Sequence, residues 1–145
     1  RRSLLMEDLG FALVCARRHE EGALLLDERR GAGDVPPHIM NALGYARFRL
    51  QEYGSAGQVF RAALEADPVN PLLWNNLAAA LMAHGDLRGA DDALYHIFDY
   101  IGAEDRSFSV DEYHLKVFQS NVQNLVHRVG GRAVGLPSVE LWLPA

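Results

Sequence analysis

Apolar residues recur along this chain at intervals of three and four, in paired segments separated by short polar breaks. From Pro37, the residues Ile39, Met40, Leu43, Ala46 and Leu50 follow this spacing, which predicts a helix with one buried stripe. Pro37 suits the first helical turn, where a missing N–H costs nothing. Tyr53-Gly54 reads as a turn, and a return helix follows through Ala56, Val59, Phe60, Ala63 and Leu64. It stops at Asp67-Pro68, because a residue before proline is pushed out of helical geometry. Asn70-Pro71 starts the next pair, with a capping side chain ahead of a first-turn proline. Its first helix carries Trp74, Leu77, Leu81 and Met82; after Gly85-Asp86, the second carries Leu87, Ala90, Leu94, Ile97 and Ile101 up to Gly102. An earlier, weaker pair has Leu5, Leu9, Ala12, Leu13 and Ala16, then a short return helix from Gly22 to about Arg30.

The pairs share a period. Leu9-Gly10 returns after 34 residues as Leu43-Gly44 and after another 34 as Leu77-Ala78, and Ala12, Ala46 and Ala80 keep the same spacing. A fixed period of this size marks stacked supersecondary units that cannot bury their apolar faces alone. Gly44 falls mid-helix, where glycine costs about 1 kcal/mol against alanine, so a close approach by a neighbouring helix is expected there. Arg29 stands where the later copies place Ala63 and Ile97. Beyond Gly102 the period is lost. The polar stretch 104–109 reads as a loop, and Leu115, Phe118, Val122, Leu125, Val126 and Val129 predict an amphipathic helix over about 110–129 that caps the open end of the last pair. Gly130-Gly131 stops it. Residues 130–145 read as an extended apolar tail, whose Leu141, Trp142 and Leu143 dock either on this chain or on a partner.

Composition narrows the function classes. The chain has 145 residues, 49% apolar and 23% charged, with a net charge of −5, a globular balance in which one core can form. Lys116 is the single lysine and the arginines are scattered. That lowers the expectation of nucleic acid or an anionic membrane as ligand, since phosphate binding needs clustered cations. The longest apolar run, Leu77 to Ala83, is too short to span a bilayer. One cysteine, Cys15, cannot pair internally, which suits a reducing compartment or indifference to redox. The expected location is intracellular: cytoplasmic, or mitochondrial if the Arg1-Arg2 start follows a removed presequence.

No catalytic or metal-binding pattern stands out. Asp92 and His96 lie one turn apart without a second ligand pair, and read as surface charge. His114 and His127 are too far apart to act as a local pair. Cys15 has His19 one turn away, yet reads as a buried, small apolar residue rather than a nucleophile. There is no phosphate loop, dinucleotide fingerprint or nucleophile elbow. No cofactor and no enzymatic activity are expected.

The pattern resembles the tetratricopeptide repeat (TPR) family, built of 34-residue helix-turn-helix units. Trp74, Leu77, Ala78, Ala90 and Leu94 match its preferred residues in the third unit; Leu43, Gly44, Ala56, Phe60, Ala63 and Pro68 match in the second; Leu9, Gly10 and Leu26 match in the first, with Gly22 replacing alanine. Arg47, Met40 and Met6 depart from positions where the family prefers aromatic residues. The resemblance covers about 3–102 and implies an all-α superhelix of three hairpins, units about 3–36, 37–70 and 71–102, forming with the capping helix one domain over 3–129.

The resemblance also implies that first helices line a concave groove. In this sequence its lining would include Leu4, Glu7, Phe11, Val14 and Cys15, then His38, Asn41, Tyr45, Phe48 and Arg49, then Leu72, Asn75, Ala79, Met82 and Ala83. Aromatic Phe11, Tyr45 and Phe48 favour an apolar peptide or amphipathic helix, with Asn41 and Asn75 fixing its register and Arg49 taking a carboxylate. The clamp that some family members use for acidic chaperone C-termini is not matched, because Asn41 and Tyr45 stand where a lysine and an asparagine are needed. The expected function is a non-catalytic interaction module or a scaffold subunit of a larger complex. The alternatives are a small chaperone for an apolar client segment, and a pentatricopeptide-like RNA binder or organellar complex subunit.

Overall fold

The computed structural model describes residues 2–102 and 112–131. Among them the chain is all-helical: α1 (Arg2–Cys15), α2 (His19–Gly31), α3 (Pro37–Arg49), α4 (Tyr53–Ala66), α5 (Pro71–His84), α6 (Leu87–Gly102) and α7 (Glu112–Val129). The tail residues Leu141, Trp142 and Leu143 lie outside the described residues. Contacts divide the chain into two compact units, one up to Pro68 and one from Val69.

In the first unit α1 packs on α2 and α3, α2 on α3, and α3 on α4. The close approach expected at Gly44 is present. A Cβ at Gly44 would stand 2.5 Å from Phe60 Cε1, and one at Gly10 would collide with the Leu26 side chain. Leu26 and Phe60 are 34 residues apart and both fully buried. Gly22 completes the first crossing, since a Cβ there would meet Val14 Cγ2 at 2.7 Å and the Gly10 carbonyl oxygen at 3.2 Å. The mid-helix glycines thus give up helix propensity for helix-to-helix proximity.

The second unit pairs α5 with α6, and α7 packs on both. Asn70 caps α5 by accepting from the Leu72 N–H at 3.0 Å, with Pro71 at the first position. Leu94, in register with Leu26 and Phe60, is again buried, opposite Ala78 in the sequence frame where the earlier copies have glycine. Helix α7 joins α5 through a buried amide ladder: Asn121 Nδ2 donates to Asn75 Oδ1 at 3.0 Å, and Asn75 Nδ2 donates to Asn76 Oδ1 at 3.4 Å. The capping helix is therefore held by polar groups as well as by Val117, Phe118 and Leu125.

The turns differ from expectation in one respect. Tyr53 and Gly54 open α4, and the break falls before them, at residues 50–52. Likewise α2 begins at His19, ahead of Gly22. Each first helix ends in the same way. Arg17, Gln51 and Gly85 have positive φ of 64°, 64° and 95°, and stand 34 residues apart. The following N–H groups of Arg18, Glu52 and Asp86 donate to the carbonyls of Leu13, Arg47 and Leu81 at 2.9, 2.9 and 2.8 Å. This is a Schellman-type end, which satisfies terminal carbonyls through one left-handed residue. In two copies that residue is not glycine, so the turn carries no glycine signal in the sequence.

Candidate partner-binding face

The first helices of the first unit, α1 and α3, carry ten of the expected groove residues, of which Leu4 and Cys15 are exposed. On α1, Phe11 is half-buried and Val14 is buried. On α3, His38 and Arg49 are exposed, Tyr45 is half-buried, and Asn41 and Phe48 are buried. Phe48 meets Tyr53 edge-on, with ring centroids 5.0 Å apart, so its ring packs against α4. The surface offered by this face therefore comes from Leu4, Phe11, Cys15, His38, Tyr45 and Arg49.

Glu7 is also buried, with a specific cause. Its Oε2 accepts from Arg29 Nε at 2.8 Å, and Arg29 also donates to the Asp34 carbonyl at 2.9 Å. The arginine at a core position of the first hairpin is thus neutralised from α1 and tied to the loop that leads into α3.

In the second unit Asn75, Ala79 and Met82 are all buried. The Asn75 amide bonds within the unit, as described above, and the Met82 carbonyl accepts from Arg128 Nη1 at 3.4 Å. These three residues present little surface. The Asn75 side chain, expected to fix the register of a ligand, is engaged instead by Asn121 of α7.

The structure brings together a cluster that sequence reasoning saw only in part. The Arg49 guanidinium carbon lies 5.1 Å from the centroid of the Tyr45 ring, within cation–π range. His19, at the start of α2, meets the same ring edge-on at 5.9 Å. Its Nδ1 is buried without a hydrogen-bond partner. Burial first, then the positive charges of Arg49 and Arg17, hold the His19 pKa below the ordinary histidine value. Tyr45 and Arg49 were expected on this face from α3 alone. His19 joins them through the packing of α2 on α3, and the charge of Arg17 reaches it from the α1–α2 turn, neither of which helical spacing encodes.

Other candidate chemistry resolves into structure. His96 stacks flat on Trp74 at 3.8 Å, and its Nδ1 lies 2.9 Å from the Asp92 carbonyl oxygen. Cys15, expected to be buried, is exposed instead, because it ends α1 on a side that no other described helix covers, and its thiol has no disulfide partner. Among the described residues no three His, Cys, Asp or Glu side chains group as metal ligands, and no helix is long and apolar enough to cross a membrane. No protein-family model matches the chain. What the face can do chemically is bury apolar side chains against Phe11 and Tyr45 and meet an anion with guanidinium groups.

Proposed function

We propose that this protein is a non-catalytic helical-repeat interaction module of the TPR type, which holds an apolar or amphipathic segment of a protein partner along α1 and α3. The observation that carries the reading is the partly exposed ring pair Phe11 and Tyr45 on two helices that pack together, with Arg49 seated over one of the rings. Aromatic and arginine side chains of this kind anchor protein interfaces more often than other residues. The shared helix ends at Arg17, Gln51 and Gly85 support the repeat architecture itself. In this reading the partner contributes the remaining apolar surface, and the protein serves as a docking subunit of a larger assembly.

The test is affinity capture of the native complex, comparing the wild-type chain with a Phe11→Ala/Tyr45→Ala variant. Both side chains are half-buried, so helical circular dichroism is expected to stay near wild type. Partner recovery is expected to fall about tenfold or more, the usual scale for losing interface aromatics. A folded variant that retains its partner undiminished removes this face from the account.

A further inference from the structure

Among the described residues of the first unit, Arg2, Arg17, Arg30, Arg49 and Arg61 have no carboxylate partner. Arg18 pairs with Glu21, Arg29 with Glu7, and Arg47 with both Asp27 and Glu52. The charges of Arg17 and Arg49 both reach His19. Neither is placed at random. Arg17 is the left-handed residue of a hydrogen-bonded helix end, so its backbone is fixed. Arg49 is held over Tyr45. In a chain of net charge −5, the unneutralised Arg49 guanidinium over the Tyr45 ring, next to an imidazole that also feels the charge of Arg17, makes a local positive site with a flat apolar floor.

We propose that this cluster is a carboxylate subsite, taking an aspartate or glutamate side chain of the bound protein segment on Arg49, with its methylene carbons on Tyr45 and the charge of Arg17 adding to the attraction. The proposal rests on the groove reading above and adds a charge requirement to it. Guanidinium forks match carboxylate geometry and form charge-assisted bonds stronger than neutral ones. A fork and one further charge suffice for one carboxylate. A polyanion such as RNA needs many phosphate contacts and is repelled by the net charge of the rest of the chain.

The probe is a blocked peptide of alternating leucine and glutamate, with a glutamine version as control, titrated into the full chain while the His19 ring is followed by NMR. The glutamate peptide is expected to bind about tenfold more tightly than the glutamine peptide. It is also expected to raise the His19 pKa, because a bound carboxylate offsets the two positive charges that lower it. Both effects should vanish in Arg49→Gln and persist in Arg30→Gln, an exposed arginine outside the cluster. Equal affinity for the two peptides overturns the carboxylate subsite and leaves the groove reading standing, as does a bound glutamate peptide that leaves His19 unmoved. Binding of neither peptide overturns both. A single-stranded RNA oligonucleotide that binds more tightly than the glutamate peptide, and loses binding in Arg49→Gln, overturns the proposal in favour of nucleic acid.

Discussion

Arg29 shows how one residue can depart from a repeat without breaking it. The equivalent positions in the later copies hold Ala63 and Ile97, both buried in apolar surroundings. An unpaired guanidinium there would be intolerable, and Glu7 removes the problem by approaching from α1. Both side chains are almost fully removed from solvent, at 11% and 7% exposure. Deleting one partner of such a pair leaves a buried charge, and costs about 3–5 kcal/mol, whereas replacing both with apolar residues of similar size is often neutral. Arg29→Ala is therefore expected to lose stability on that scale in urea unfolding, and Glu7→Leu/Arg29→Met to recover most of it. The same logic explains why Glu7, expected on the groove, is unavailable to a ligand: its charge is already engaged in the core.

The helix ends were the part of the fold least visible in the sequence. Helical spacing and the period placed the six hairpin helices, and the Asn70-Pro71 start of α5 proved to be a capped helix start as the residues suggest. The break before α4 was misplaced onto Gly54, because glycine is the usual turn signal, whereas the left-handed residue is Gln51. Only Gly85 announces the position, and the period would carry that signal back to Gln51 and Arg17. Site residues were legible to the extent that they depend on one helix: Tyr45 and Arg49 lie together as their spacing on α3 requires. Burial of Phe48 and Asn75 was not legible, since it depends on contacts from Tyr53 and Asn121 on other helices. A non-glycine residue in left-handed geometry costs about 1–2 kcal/mol per residue. Gln51→Gly is thus expected to stabilise the protein by roughly 0.5–1 kcal/mol, net of the greater freedom glycine has when unfolded. Gly85→Ala should destabilise it, and thermal denaturation of the two variants side by side checks both signs.

At the level of the whole molecule, acid response follows from His19. Its folded pKa lies below the ordinary value, since burial and two nearby guanidinium groups oppose the charged ring. The unfolded chain therefore takes up this proton first as pH falls. Above the ordinary histidine range both states are neutral at this site and it contributes no difference. As pH drops through that range the unfolded state gains protons and folding weakens. Urea midpoints should decline between about pH 7.5 and 5.5, and His19→Gln should flatten that decline. A variant with an unchanged slope would assign the acid sensitivity to other groups.

Three junctions with matching donors, acceptors and handedness have one more consequence. Segments 13–18, 47–52 and 81–86 are interchangeable joints, so the connector of one hairpin can be grafted into another without redrawing the helices it links. The amino acids at these joints are then free to diverge for purposes other than folding, and in the first hairpin that freedom has left an arginine facing outward where the third has only a hydrogen atom.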